Sequence, residues 1–266
     1  MNDDLLHELF SLHGHVALVT GASGGIGSAL ARGLARAGAA VALHGRAHDR
    51  LTRLADEIRE ARGVAAPFPA DLTTLDAIDP MVSAIQDQLG PISILVNCAG
   101  TNRRLPIADM TPETYDSIMA TNLRSLFFLT RTVACGMADR GGGKIVNIGS
   151  LTAHIGLADV SVYGMTKSGL AQLTKTMAIE WAGHNIQVNC LCPGFIATEL
   201  TAPALDARPP ADQAGGPPGG SGRPRHLSRV ASVRLHHRTD VHRRRRVSRR
   251  KPVVALDVRA APRSKL

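Results

Sequence analysis

Tyr163 and Lys167 are the residues whose types and spacing best suit acid–base chemistry. Residues four apart lie on one face of an α-helix, so a helix that begins near residue 161 would bring the phenol and the ammonium together. An isolated tyrosine titrates near pH ~10, and about 4 kcal/mol is needed to bring its pKa to neutrality. A cation about 4 Å away supplies that much at an effective dielectric of ~20. We therefore expect Lys167 to lower the pKa of Tyr163.

Ser150 lies thirteen residues before Tyr163 and completes a set of side chains that can move a proton. A tyrosine and a lysine at this spacing also occur on ordinary surface helices, where the lysine is only solvated. The pair alone does not separate these two interpretations, so the rest of the chain must do so.

A glycine-rich turn follows the first apolar run of the chain. Residues 16–19 predict a buried strand, Thr20-Gly21-Ala22-Ser23-Gly24-Gly25-Ile26-Gly27 follows it, and residues 28–37 predict a helix. This arrangement presents backbone N–H groups and a helix N terminus to a pyrophosphate. Gly21 would permit the tight turn, Gly25 the approach of a phosphate, and Gly27 the packing of helix on strand. A purely structural turn is the alternative.

Strand and helix patterns alternate along residues 16–191. Strands are predicted at 16–19, 41–44, 64–69, 92–96, 144–148 and 186–191, and helices at 28–37, 49–62, 74–89, 111–138 and 161–182. The alternation predicts an α/β fold, a doubly wound parallel sheet of the Rossmann type with helices on both faces. Gly21, Asn97, Ser150 and Pro193 would lie at the carboxyl ends of strands, where such sheets bind ligands.

The end of the second strand bears on the choice of cofactor. Sheets that bind NAD place an acidic residue there for the ribose 2′-hydroxyl, whereas a basic residue accommodates a 2′-phosphate. Here the strand ends in His44-Gly45-Arg46, with no carboxylate. The sequence therefore predicts NADP(H) rather than NAD(H), unless Arg46 is only a solvated loop residue.

The charge of the chain is unevenly distributed. The formal net charge is +9, yet residues 203–266 hold sixteen Lys/Arg and four Asp/Glu, so residues 1–202 carry a net charge of −3. The body of the chain is therefore mildly acidic. The four cysteines fall in that body without the spacing of a zinc site, and no metal site is predicted. Because no secretory pattern or long apolar run is present, we expect a cytoplasmic protein with no membrane partner.

The chain contains, in this order, the glycine turn, Asn97-Cys98-Ala99-Gly100, Asn122, Ser150, Tyr163, Lys167 and Pro193-Gly194. In this set of motifs and their order it closely resembles the short-chain dehydrogenases/reductases. The likeness covers about residues 10–202 and implies hydride transfer between a nicotinamide and a carbonyl or secondary alcohol. It implies catalytic roles for Asn122, Ser150, Tyr163 and Lys167. Where many members of the family have a second asparagine, this chain has Cys98.

The resemblance also implies a set of cofactor-binding residues along the strand ends. These are Gly21, Ser23, Gly25, Ile26, Gly27, Arg46, Asp71, Leu72, Asn97, Ala99, Gly100, Tyr163, Lys167, Pro193, Gly194, Ile196 and Thr198.

The substrate is predicted from a shorter stretch. Thr101-Asn102-Arg103-Arg104 and the opening Leu9-Phe10-Ser11-Leu12-His13-Gly14 resemble the sugar-acid branch of the family, such as the gluconate 5-dehydrogenases. Arg103, Arg104 and His154 are the candidate substrate residues, since arginines bind carboxylates well. A solvated loop or a subunit contact is the bland alternative for the arginines. The alternative enzyme is a 3-oxoacyl-carrier-protein reductase.

Residues 203–266 form a basic, Pro/Gly/Arg-rich tail that departs from the family pattern. It holds eight prolines and four consecutive arginines, Arg243 to Arg246, which favours disorder. Codons for residues 236–246, shifted by one nucleotide, permit Ile-Thr-Gly-Gln-Thr-Phe-Thr-Val-Asp-Gly-Gly, a segment typical of the family. We therefore predict a frameshift, loss of the final strand, and damage to the homotetramer or homodimer interface that the family implies. A non-catalytic nucleic-acid-binding protein with a basic tail is the alternative of another class, disfavoured by the complete catalytic set.

Overall fold

A single parallel sheet carries the candidate residues. The computed structural model describes residues 10–196 and Thr198. The sheet has six strands in the order β3-β2-β1-β4-β5-β6, and each neighbouring pair is parallel. The strands are β1 (Val16–Thr20), β2 (Ala40–Gly45), β3 (Val64–Pro69), β4 (Ile92–Asn97), β5 (Gly143–Ile148) and β6 (Ile186–Leu191). This is the doubly wound topology that the sequence predicts, and all six predicted strands are present.

Helices cover both faces of the sheet, which explains why its central strands are apolar throughout. They are α1 (Gly25–Arg36), α2 (His48–Glu60), α3 (Ile78–Leu89), α4 (Pro112–Met119), α5 (Ser125–Asp139) and α6 (Ser161–Glu180). One core packs α1 and α2 against alternate strand residues such as Ala17 and Val19. The other packs α3, α5 and α6 against residues such as Leu18 and Leu95.

The predicted helix at 111–138 is interrupted. Residues Ala120–Arg124 form a π-helical turn between α4 and α5. Its Asn122 is fully buried and bonds outside the helix: its amide accepts from Thr101 N at 2.7 Å, donates to Thr101 O at 2.8 Å and donates to Thr166 Oγ1 at 3.2 Å. The wider turn places this amide against two other segments, as π-turns often do at functional sites.

The strand order reverses between β1 and β4, and Thr20 joins their ends there. The Thr20 hydroxyl oxygen accepts from the backbone N–H groups of Cys98 and Ala99, each at 3.0 Å. A Cβ on Gly21 would lie 2.9 Å from Ala99, so the turn after β1 packs directly on the turn after β4. Ligands of doubly wound sheets bind at this reversal.

Within the described residues, no helix combines the length and apolarity that crossing a bilayer requires.

Candidate active site

A cleft of about 590 Å³ lies at the carboxyl ends of the strands. One side is formed by the glycine turn, His44 to Arg46 and Asp71, and is called the Arg46 end below. The other side is formed by Ser150, Tyr163, Lys167 and Arg104, and is called the Tyr163 end. The cleft thus joins the two groups of residues that the sequence singles out.

The Arg46 end is shaped by the glycine turn. Gly21 has a φ of +66°, a left-handed conformation that glycine adopts without strain. A Cβ on Gly27 would collide with the carbonyl oxygen of Gly21, and a Cβ on Gly25 would lie 2.7 Å from Thr198 Cγ2. The backbone at the start of α1 therefore has no room for side chains.

His44 is the buried polar residue of the Arg46 end. It is 3 % exposed, and its Nε2 lies 3.2 Å from the carbonyl oxygen of Ala70. Its Nδ1 is buried without a hydrogen-bond partner. Burial lowers the pKa of His44 to about 4, so the imidazole is neutral at pH 7.

Asp71 and Arg46 complete this end with solvated charges. The Asp71 carboxylate accepts from the backbone N–H and the hydroxyl of Thr73, at 2.9 and 2.7 Å. Those hydrogen bonds hold the pKa of Asp71 below its ordinary value, and the nearby Arg46 lowers it further. Arg46 itself is exposed, where its charge is free to meet an anion in the cleft.

At the Tyr163 end, α6 brings the catalytic candidates together as the four-residue spacing predicts. Lys167 is 4 % exposed, and its Nζ lies 5.6 Å from the centroid of the Tyr163 ring. The same Nζ donates to the carbonyl oxygen of Ile148 at 2.7 Å, which ties α6 to the end of β5. The ammonium is thereby fixed behind the phenol.

The pKa of Tyr163 differs from the sequence-based expectation. Burial raises the pKa of the phenol, and the Ser150 side chain only partly opposes the rise. Burial also lowers the pKa of Lys167, and the nearby Cys98 partly opposes this shift. The cost of burying charge therefore outweighs the attraction between phenol and ammonium.

Three backbone contacts fix the loops around the Tyr163 end. Gly149 N donates to Leu191 O at 2.7 Å, Leu151 N to Pro193 O at 2.9 Å, and Leu105 N to Asp159 O at 2.9 Å. These bonds hold the segment around Ser150 beside the loop after β6 and close the far wall of the cleft. The Ser150 hydroxyl accepts from Thr152 N at 3.1 Å, which orients it.

Most of the predicted site residues line this cleft. They are Gly21, Ser23, Gly25, Ile26, Gly27, Arg46, Asp71, Leu72, Ala99, Gly100, Arg104, Ser150, Tyr163, Lys167, Pro193, Gly194, Ile196 and Thr198.

Four predicted residues do not line the cleft. Asn97 is buried, and its amide donates to Thr130 Oγ1 and Asn147 Oδ1, each at 2.8 Å. Asn122 is buried behind the cleft wall. Arg103 and His154 are exposed and lie outside the lining. Of the two adjacent arginines, the structure brings only Arg104 to the cleft, where its guanidinium donates to Ala158 O at 3.3 Å.

Several lining residues were missed by the sequence reasoning. His44 lies near the end of β2, two residues before the predicted Arg46, but the sequence analysis does not predict it as a site residue. Asn102 and Thr152 flank predicted residues, and each has a buried side-chain oxygen without a partner. Each lies two residues from a predicted site residue, Arg104 or Ser150, and this closeness was the signal available. Within the described part of the chain, no three His, Cys, Asp or Glu side chains are grouped so that they could hold a metal ion.

The sequence model of the short chain dehydrogenase family matches residues 15–209, which include the glycine turn and the Ser150, Tyr163 and Lys167 set. The chain belongs to the short-chain dehydrogenase family. The family consists of oxidoreductases, in agreement with the acid–base set at the Tyr163 end.

Relatives within the family include sugar-acid enzymes. The chain is 45 % identical over 195 residues to the gluconate 5-dehydrogenase of Gluconobacter oxydans, covering 73 % of this chain and 76 % of the relative. It is 37 % identical over 219 residues to a 3-oxoacyl-acyl-carrier-protein reductase of Vibrio cholerae, covering 82 % and 88 %.

A solved structure within the family shows the same fold. The crystal structure of a gluconate 5-dehydrogenase from Burkholderia cenocepacia in complex with NADP and tartrate has a TM-score of 0.73 and 36 % identity to this chain. The match covers 76 % of this chain and 79 % of that one.

Proposed function

We propose that the chain interconverts a ketone and a secondary alcohol on a sugar acid of the gluconate type, using NADP(H). The observation that carries the proposal is a single cleft with Arg46 at one end and Ser150, Tyr163, Lys167 and Arg104 at the other. The similarity to the gluconate 5-dehydrogenases of Gluconobacter oxydans and Burkholderia cenocepacia supports this substrate class.

The residues of the Arg46 end fit NADP(H). Gly24 and Gly25 are exposed to the cleft at the start of α1, where a helix N terminus suits a pyrophosphate. Arg46 is an exposed cation at the end of β2, where a 2′-phosphate is expected. Asp71 and Leu72 lie beside it at the end of β3. When bound, the cofactor would supply or accept a hydride at its nicotinamide ring.

The chain's own residues handle the substrate oxygen. Ser150 would donate a hydrogen bond to it, and Tyr163 would give or take its proton. Lys167 would stabilise the phenolate as it forms, since its ammonium is held behind the ring. A cationic nicotinamide beside the phenol would lower the Tyr163 pKa that burial raises. Asn122, tied to Thr101 and Thr166, would brace this wall of the cleft.

Arg104 is the residue proposed to hold the substrate carboxylate. It lines the cleft, whereas its neighbour Arg103 does not. The Burkholderia cenocepacia relative was crystallised in complex with tartrate, which is a small hydroxylated acid. An arginine gives two parallel hydrogen bonds to such a carboxylate.

A substrate comparison tests the proposal. Purified chain with NADPH should reduce 5-ketogluconate with a higher kcat/KM than an acetoacetyl thioester. The opposite preference would favour the alternative, a 3-oxoacyl-carrier-protein reductase, which the match to the Vibrio cholerae enzyme supports. Replacement of Arg104 by Ala should raise KM for the keto acid, while Arg103→Ala serves as the matched control.

We further propose that residues 1–202 are the catalytic domain and that residues 203–266, which lie outside the described residues, are a frameshifted tail. The jump in positive charge and the end of the family match at residue 209 support this division. Resequencing the gene would test it. We also propose a cytoplasmic location and weakened subunit pairing. Full activity in a discrete tetramer, measured by light scattering on the purified chain, would contradict the proposed damage.

A further inference from the structure

Three of the four cysteines converge on the catalytic pair. All four cysteines are described and free. The thiols of Cys98, Cys190 and Cys192 are close enough to Lys167 to act on its pKa. Cys135 is exposed on α5, apart from this group. The proposed reaction uses none of these thiols.

Cys190 and Cys192 form a close pair within that group. Their sulfur atoms lie 3.7 Å apart, and both residues are partly exposed. Gly149 provides the space for them, because a Cβ there would lie 2.6 Å from the Cys192 sulfur and 2.8 Å from the Cys190 sulfur. Residues two apart on an extended chain project to the same side, which explains why the two sulfurs meet.

We propose that Cys190 and Cys192 are a site of reversible thiol–disulfide exchange beside the cleft. One thiol, once deprotonated, attacks a small-molecule disulfide and releases one thiol of the reagent. The second cysteine then attacks the mixed disulfide, forms the Cys190–Cys192 bond and releases the other thiol. The protein loses two electrons and two protons, which the reagent gains as it becomes two thiols.

The Cys190–Cys192 disulfide is expected to form slowly and to be reduced easily. Burial raises the pKa of Cys190 to about 11, so few thiolates are present at neutral pH. Two residues of extended chain span about 6.6 Å between Cα atoms, near the upper limit for a disulfide. The bond would therefore pull the backbone together and store strain, which makes a disulfide more reducible.

The strain would be transmitted to the Tyr163 end. Leu191 O and Pro193 O, on either side of Cys192, accept hydrogen bonds from Gly149 N and Leu151 N. Shortening the segment from Cys190 to Cys192 would thus pull on both neighbours of Ser150. Pro193 and Gly194, which line the cleft, follow directly. Oxidation would lower turnover and cofactor affinity together.

Mass spectrometry of the intact chain tests the pair directly. After incubation with oxidised glutathione, the chain should lose about two mass units, and proteolytic peptides should place the bond between Cys190 and Cys192. Cys190→Ser and Cys192→Ser should each abolish this loss and instead accumulate the glutathione adduct. Cys135→Ser, which removes the exposed thiol that glutathione can also modify, is the control and should form the same Cys190–Cys192 bond.

The functional consequence has a separate readout. Oxidised chain should bind NADPH at least about threefold more weakly by fluorescence titration, with recovery after dithiothreitol. The Cys190→Ser/Cys192→Ser double variant, which can form neither the disulfide nor a glutathione adduct at these positions, should show no such change. The proposal would be overturned if neither the intact mass nor the peptides showed an internal disulfide. A bond that involves Cys98, or one that leaves NADPH affinity unchanged, would also overturn it. None of these outcomes depends on the substrate, so they leave the proposed reaction standing.

Discussion

The Tyr163 end of the cleft is backed by two buried, hydrogen-bonded polar side chains, whereas the Arg46 end is formed mainly by glycines and exposed charges. Lys167 and Asn122 are at most 4 % exposed, and each is fixed by bonds to another segment. Arg46 and Asp71 are exposed. The difference indicates that one end positions atoms for chemistry, while the other offers backbone and charge to a ligand.

Replacing Tyr163 by Phe should produce the largest effect and should affect one end only. Without the phenolic proton, kcat/KM should fall by about a thousandfold, since positioned acid–base groups contribute about that much. NADPH affinity should remain nearly unchanged because the Arg46 end is untouched. Steady-state kinetics and a fluorescence titration measure both quantities. Tyr115→Phe, the other tyrosine, is the control, and near-normal turnover of Tyr163→Phe would refute the assignment.

His44 is the exception to the comparison, because it is a buried polar group at the Arg46 end. Its pKa is lowered to about 4, so between pH 6.5 and 4 the unfolded chain binds more protons than the folded chain. As the pH is lowered through that window, the free energy of unfolding should decrease by about 3 kcal/mol, and it should decrease no further below pH 4. In urea unfolding, His44→Gln should reduce this pH dependence and exposed His184→Gln should not. Equal slopes for all three proteins would exclude the effect.

Gly27→Ala should break the Arg46 end through the backbone alone. The new methyl group collides with the carbonyl oxygen of Gly21, and overpacking of this kind costs about 1–3 kcal/mol. NADPH affinity should fall about tenfold or more, and the melting temperature should drop. Gly33→Ala in the same helix meets nothing within 4 Å and should be neutral or stabilising. Similar affinities in the two variants would contradict this role of the turn.

Arg46→Ala should have the narrowest effect, because it should weaken the binding of one cofactor only. Loss of a charge-assisted hydrogen bond to a 2′-phosphate costs about 1.5–3 kcal/mol, so NADPH should bind at least about tenfold more weakly. NADH affinity should not change, because it lacks that phosphate. Arg53→Ala, an exposed arginine outside the lining, is the control. Equal losses for both cofactors would show that Arg46 does not select between them.

The sheet was predictable because each strand is a short apolar run bounded by glycines or polar turns. All six strand predictions agree with the structure to within one residue at each end, and those for β3 and β6 match it at both ends. The Tyr163 and Lys167 contact was predictable for a similar reason, since it depends only on helical spacing.

Other features depend on tertiary contacts that leave no local pattern. Ala120–Arg124 contains no proline or glycine, so nothing in the sequence marks the π-turn that Thr101 and Thr166 stabilise. Adjacent loop residues such as Arg103 and Arg104 have no periodicity to show which faces the cleft. The direction of the Tyr163 pKa depends on burial, which the spacing of charges alone does not give.

The π-turn has a consequence at the level of the gene. A π-turn holds one more residue than regular α-helix would, so losing one codon between 120 and 124 would let α4 and α5 join as continuous helix. The register upstream of the deletion would rotate by about 100°. Such a deletion would break the hydrogen bonds between the Asn122 amide and the Thr101 backbone while leaving the helix content intact. An in-frame loss of this size would therefore disturb the active site although it removes none of Ser150, Tyr163 or Lys167.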